Sequence, residues 1–225
     1  MKSILVVAAH PDDEVIGCGG SLARHAAKGD TVNIIFLADG ESSRIQATSN
    51  EKIDKRKAMA RKAAKIIGCN EPIFLGLPDN QLDTIPFLDL VQSLENAALK
   101  FLPEIIYTHH AGDLNIDHRL ACQATLTAFR PQPNSSTVKA IYAFEIASST
   151  EWSHSTLSPA FTPNRFHDIT AWSDIKDQAL VCYESEMRPA PHSRSLDGIQ
   201  YRELWRGHSM GFQRMESFEV LREIW

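Results

Sequence analysis

Six consecutive apolar residues, Ile4-Leu5-Val6-Val7-Ala8-Ala9, end abruptly in His10-Pro11-Asp12-Asp13-Glu14. An unbroken apolar run with β-branched side chains is the pattern of a strand buried on both faces of a parallel sheet. Pro11 has no N–H with which to continue a ladder, so the strand must stop there. One imidazole and three carboxylates are thereby delivered to the carboxyl end of a strand. In open α/β sheets that end borders the ligand crevice. A histidine and a carboxylate three residues on can share a divalent metal, which leaves another acid to act on a metal-bound water. An Asp-Asp-Glu run by itself would only acidify a helix N-terminus. The histidine and proline beside it point instead to half of a metal site.

A catalytic zinc usually takes three protein ligands and keeps one position open. A second segment must therefore contribute. Residues 104–108 read as another buried strand, running into His109, His110, Gly112, Asp113 and Asn115. From Asp117 the spacing of Leu120, Ala121, Ala124 and Leu126 predicts a helix. His118 then stands at its start, beside Asp117, with its ring able to face back toward the first loop.

Strand and helix signals alternate through the first 130 residues. Strands are predicted over 3–9, 31–38, 72–75 and 104–108, and helices over 16–28, 51–67 and 86–102. Gly29 and Gly68 occupy positions just past helix ends, and Pro86 opens its helix. A polar loop spans 39–50. Successive βα units predict a parallel, doubly wound α/β sheet with right-handed crossovers. Beyond Pro131 the pattern gives strands at 138–144, 166–169 and 218–224. It also gives helices at 173–187 and 196–210, with a proline-punctuated loop at 188–195 between them. No repeat or linker divides the chain, so residues 1–225 are expected to form one domain. Residues 1–130 would be its βα core, and 131–225 would complete the sheet and the substrate pocket.

The net charge of −5 offers no basic footprint for nucleic acid. No segment approaches the roughly 18 apolar residues of a membrane span, and the first apolar run lacks a cleavage signal. Cys18, Cys69, Cys122 and Cys182 have no metal or redox spacing and read as reduced thiols of a cytoplasmic protein. Gly17-Cys18-Gly19-Gly20 lacks the dinucleotide-loop spacing, so its glycines are expected to admit close backbone packing. The tryptophans, 152, 172, 205 and 225, are too dispersed for a cage and read as core or interface anchors.

The chain resembles the PIG-L / LmbE-like family of metal-dependent N-acetylglucosaminyl deacetylases. The likeness rests on the Ala-His-Pro-Asp-Asp-Glu run at 9–14 and Asp117-His118-Arg119. Leu77-Pro78-Asp79-Asn80 and Pro191-His192-Ser193-Arg194-Ser195 extend it. It implies a Rossmann-like fold, with helices on both faces of a mostly parallel sheet, and a single zinc, with iron(II) also suited to the donor set. It further implies hydrolysis of an N-acetyl group from an amino sugar, and a trimer or hexamer. By position, His10, Asp13 and His118 would hold the metal, Asp12 would be the general base, and Arg56, Asp79 and Arg194 would serve the substrate. Asp117 would orient His118. The family's usual histidine is replaced by Asn115, which can donate to an oxyanion but has no proton to give. His192 is then the favoured general acid, with His110 behind it, or Asp12 acting twice.

Two other functions compete with this one. The same metal apparatus suits an amidase acting on a thiol conjugate or non-sugar amide. A decayed site would leave a non-catalytic metal-binding module, which the full set of expected ligands argues against.

Overall fold

The computed structural model describes residues 1–43, 50–133 and 137–224; residues 44–49 of the predicted polar loop and Trp225 lie outside them. Seven strands form one sheet: β1 (Ser3–Ala8), β2 (Thr31–Ala38), β3 (Ile73–Leu77), β4 (Ile105–His109), β5 (Ala140–Phe144), β6 (Arg165–Asp168) and β7 (Met215–Glu223). Their order is β3-β2-β1-β4-β5-β7-β6. The first five run parallel, while β7 is antiparallel to both β5 and β6. The mostly parallel α/β architecture matches the expectation from the sequence.

β1 lies between β2 and β4, and every residue from Ile4 to Ala9 is fully buried. Alternate side chains enter opposite cores, which is why the run is apolar throughout. Ile4, Val6 and Ala8 pack with α1 (Asp13–Ala27), α2 (Asn50–Ile67), α5 (Ser173–Val181) and α6 (Leu196–His208). Leu5, Val7 and Ala9 pack with α3 (Phe87–Ala98) and α4 (Ile116–Ala128) on the other face.

Helix boundaries differ from the sequence expectation at three places, one of them α3, which ends at Ala98 rather than 102. α1 begins at Asp13, three residues early, and kinks at Cys18, whose backbone is non-helical at φ −148°, ψ 15°. The neighbouring glycines allow this close packing. A Cβ at Gly17 would stand 2.4 Å from the Phe144 ring, and one at Gly20 would stand 2.8 Å from Ile169. α5 stops at Val181 rather than running to 187. Tyr183 turns inward, fully buried, and its hydroxyl donates to Glu14 Oε1 at 2.7 Å. The tryptophans divide between core and surface. Trp172 packs against the core, but Trp205 and Trp152 are more than half exposed.

One buried charge cluster ties the helical layer to the sheet. Lys176 Nζ on α5 donates to Glu216 Oε1 at 2.6 Å and to the Ile16 carbonyl at 3.0 Å, and it pairs with Glu203 at 2.7 Å. Glu216 in turn accepts the backbone N–H groups of Gly20 and Ser21 at 2.8 and 2.7 Å. α1, α5, α6 and β7 are thus joined through one ammonium.

His167 on β6 is surrounded by the rings of Tyr107, Tyr142 and Phe218, with Nδ1 2.9 Å from Ser21 Oγ. Burial, and then the positive charges of Arg165, His25, Arg24 and Lys28, push its pKa down to about 3 from the usual 6.5. Between those values the unfolded chain binds a proton that the folded one refuses. Stability is therefore complete above the upper value and is lost as pH falls through this window. The melting temperature of wild type should fall more steeply with acid, between about pH 6 and pH 4, than that of His167→Gln. Parallel curves would refute the assignment.

Candidate active site

The loops at the carboxyl ends of β1 to β5 enclose a cavity of about 340 Å³. His10, Arg56, Asp79, Asn80, Asn115 and His118 line it, and Trp152, Arg188, His192 and Arg194 close one side. Local chain chemistry explains how His10 arrives there. Pro11 ends the strand, and Asp13 and Glu14 open α1, where acids favour the helix N-terminus. The backbone of Asp12 adopts φ 126°, ψ −27°, a region costly for a residue with a Cβ, on the order of 1–3 kcal/mol. Its N–H donates to Glu14 Oε2 at 3.0 Å. Burial, and the nearby Asp12 carboxylate, raise Glu14 to about 8.

Three donor atoms converge beside this turn. His10 Nδ1 lies 3.2 Å from Asp13 Oδ2, and His118 Nε2 lies 3.4 Å from the same oxygen. His10, Asp13 and His118 are all buried. Tetrahedral ligands about 2.1 Å from a shared ion stand about 3.4 Å apart, so the spacing fits a divalent metal. Asp13 Oδ1 has no hydrogen-bond partner among the described residues. Burial opposes charge on both rings, yet contacts with Asp117, Asp13 and Asp79 raise His10 well above 6.5, and Asp13 and Asp113 raise His118 to about 9. Asp13 itself is held well below the usual carboxylate range, because the charge on His118 and the His10 contact outweigh burial. The pocket is built to hold positive charge against Asp13.

The partners of the two histidines differ from the sequence expectation. Asp117 does not orient His118. It accepts from His10 Nε2 at 3.0 Å and from the backbone N–H groups of Asn80 and Leu82 at 2.7 and 3.1 Å. Asp79 Oδ1 lies 3.0 Å from the same His10 nitrogen, and these contacts pull Asp79 down to about 2 despite burial. The residue beside His118 Nδ1 is Asp113, at 3.1 Å, which the sequence reading missed. Asp113 is itself held by the hydroxyls of Ser149 and Thr150 and by the N–H of Asn115. Spacing alone gave no means to choose it, because Asp113 and Asp117 both precede or adjoin His118. Asp113→Asn should lower metal affinity about 10–100-fold, measured by competition with a chelator. Unchanged affinity would remove Asp113 from this role.

Asp12 is fully buried behind two guanidiniums that line the cavity. Its Oδ2 accepts from Arg194 at 2.6 Å and lies 3.4 Å from Arg56, while Oδ1 has no hydrogen-bond partner among the described residues. Arg56 reaches Glu186 at 2.6 Å as well. Asn115 caps α4: its Oδ1 accepts from the Asp117 N–H, and one Nδ2 hydrogen goes to Asn80 Oδ1 at 3.0 Å. One N–H of that amide remains. His192 Nδ1 accepts the Arg194 N–H at 3.0 Å, which leaves the ring proton on Nε2, and the ring stands edge-on to Trp152.

His110 is not brought into the cavity. Its Nδ1 bonds Glu219 at 2.6 Å and its Nε2 bonds the Pro159 carbonyl at 2.9 Å, so both ring atoms are spent holding β4 to β7 and the 159 loop. His109, by contrast, adjoins the site. Its Nε2 accepts the Ala9 N–H at 2.8 Å, and its ring stacks on His118 with centroids 4.1 Å apart. Burial and the His118 charge lower its pKa, so it serves as a neutral brace for the first loop.

The family model described as "PIG-L: GlcNAc-PI de-N-acetylase" matches residues 5–129, more than half of the chain. The chain belongs to the PIG-L family. The uncharacterized deacetylase YaiS of Escherichia coli K12 is 35% identical over 137 residues, covering 59% of this chain and 70% of YaiS. Two solved structures share the fold. The N,N'-diacetylchitobiose deacetylase of Pyrococcus horikoshii has a TM-score of 0.77 at 20% identity, covering 98% of this chain and 84% of the other. The 4-carboxy-2-hydroxymuconate hydratase GalB of Pseudomonas putida KT2440 has a TM-score of 0.75 at 26% identity, covering 98% and 96%. The matched family segment contains His10, Asp12, Asp13, Arg56, Asp79, Asn115 and His118, and stops before the His192–Arg194 loop.

Proposed function

We propose that this protein is a metal-dependent N-deacetylase that removes the acetyl group of an N-acetylglucosamine-type amino sugar or conjugate. The observation that carries the reading is the convergence of His10 Nδ1, Asp13 Oδ2 and His118 Nε2 next in the chain to Asp12, whose Oδ1 has no hydrogen-bond partner among the described residues. Family membership, and the relatives named for deacetylation, support the choice of bond. The two nitrogens and one carboxylate suit zinc, with iron(II) as the second candidate.

His10, Asp13 and His118 would hold the ion, which when bound acidifies water and polarises an acyl oxygen. Asp12 Oδ1 takes the proton of the attacking water as it adds to the amide carbon. Arg194 and Arg56 hold the other oxygen of Asp12, which fixes the orientation of the carboxylate. The remaining N–H of Asn115 donates to the oxygen that gains charge; one such donor is worth about 2.7–4 kcal/mol. Asp12 then passes that proton to the departing nitrogen, so acetate and a free amine result, while His192, whose Nδ1 accepts the Arg194 N–H, offers its Nε2–H to the substrate as a hydrogen-bond donor. Asp79, with Ser43 donating to it at 2.5 Å, and the exposed Arg188 stand where sugar hydroxyls and substituents would enter. Trp152 offers an apolar wall for a sugar face.

The hydratase of 26% identity favours a second reading, in which the same water adds to a carbon–carbon double bond. Asn115, which brings no proton, is compatible with either reaction. Unpaired cysteines support a cytoplasmic setting, no described helix is long and apolar enough to cross a membrane, and trimers or hexamers are expected.

Metal-stripped protein should release acetate from a panel of N-acetylglucosamine derivatives only after zinc or iron(II) is restored. Restored hydration of an unsaturated dicarboxylate, with no acetate released, would transfer the assignment to the hydratase. Stoichiometric metal with neither activity would leave a binding module.

A further inference from the structure

A second cavity, of about 400 Å³, opens at the opposite end of the sheet, where β1, β4 and β5 begin and β7 ends. Its wall carries five cationic side chains: Lys2, Arg24 and Lys28 of α1 and its surroundings, Lys139 and Arg165. Among the described residues, Glu223 is the one carboxylate in that lining. It is already engaged by Arg165 at 3.0 Å and by the Tyr142 hydroxyl at 2.8 Å. Asp30, beside the rim, is held by His25 Nδ1 at 2.8 Å. Among the described residues, the ammonium groups of Lys2, Lys28 and Lys139 form no ion pair.

Five like charges around one concavity are unexpected on a chain whose net charge is −5. Concave walls of one sign focus the field and concentrate counter-ions. Both guanidiniums are also held in advance by aromatic rings. Arg24 lies 5.7 Å from the centre of Trp172, and Arg165 lies 5.2 Å from that of Tyr142. The floor adds polar groups, with His25 Nε2 2.9 Å from the Tyr107 hydroxyl, and Ser21 bonded to His167. The depressed pKa of His167, caused in part by Arg165, Arg24 and Lys28, reports the same positive field.

We propose that this cavity binds a small multivalent anion of the phosphate-ester class. Several lysines acting as point charges, with flanking guanidiniums, suit phosphate oxygens, and the volume admits a small metabolite rather than a chain. The site is independent of the metal cavity, which lies at the carboxyl ends of the same strands.

The test is calorimetric titration of metal-loaded protein with inorganic phosphate at low ionic strength. Wild type should bind one phosphate saturably, and the affinity should fall as salt rises. Lys28→Glu combined with Lys139→Glu should weaken binding at least about tenfold, while metal content and melting temperature stay as in wild type. Arg188→Glu, at the mouth of the catalytic cavity, should bind phosphate as wild type does. Phosphate affinity unchanged in the double variant, lost in Arg188→Glu, or without saturation in wild type, would overturn the proposal. Should the double charge reversal fail to fold, the Lys28→Gln and Lys139→Gln pair, expected to weaken binding several-fold, decides the matter.

Discussion

Asp12→Asn is expected to reduce acetate release about 10²–10⁴-fold while leaving the metal in place. The side chain keeps its size, and the three metal donors belong to other residues, so metal content should equal that of wild type. What is lost is the capacity of Oδ1 to accept a proton. The guanidiniums of Arg194 and Arg56 also lose their anionic partner at Oδ2. That second loss should appear as a lower melting temperature, separately from the rate. A readout in kcat with little change in KM would place Asp12 in the transition state rather than in substrate binding. Full activity with full metal would show that another group takes the proton.

The largest expected effect on stability is at Lys176. Lys176→Met keeps the length and volume of the side chain but deletes a fully buried ammonium with two carboxylates against it. Removing one partner from a buried ion cluster typically costs about 3–5 kcal/mol, because the remaining charge is left without compensation. Glu216 would retain the N–H donors of Gly20 and Ser21, and Glu203 would retain Arg214, whose Nε donates to it at 3.0 Å. Those contacts place the expected loss nearer the lower figure. Chemical denaturation of wild type and variant measures it directly. A loss below about 1 kcal/mol would mean that the cluster is no more than a replaceable polar patch. The site should feel the change, because Lys176 also holds the Ile16 carbonyl in the helix that carries Asp13.

Much of the architecture was legible because its signals are local. A proline after an apolar run, glycines just past helix ends and a 3.6-residue apolar spacing each act within a few residues of themselves. They located β1 to β5 and α1 to α4 to within a few residues. The region after Pro131 carried weaker signals, and there the helix from Ser173 ended early. Tyr183 gained more from burial against Glu14 than from continuing a helical turn, and no periodicity records such a contact.

The candidate site divides along the same line. Proline chemistry and the burial of β1 by themselves determined that His10, Asp12 and Asp13 would crowd the end of one strand, and helix spacing set His118 at the start of another element. Tertiary structure alone decided which acid serves which histidine. Asp113 and Asp117 are both close to His118 in the chain, but the turn ahead of α4 sends Asp113 to His118 and Asp117 across to His10. It also decided that His110 would be spent on Glu219 and Pro159, and that a loop some 180 residues away would bring Arg194 onto Asp12. The physical reason is range. Backbone preferences and side-chain periods are written within one element, whereas a hydrogen bond or ion pair across the sheet depends on where separate elements are packed against one another.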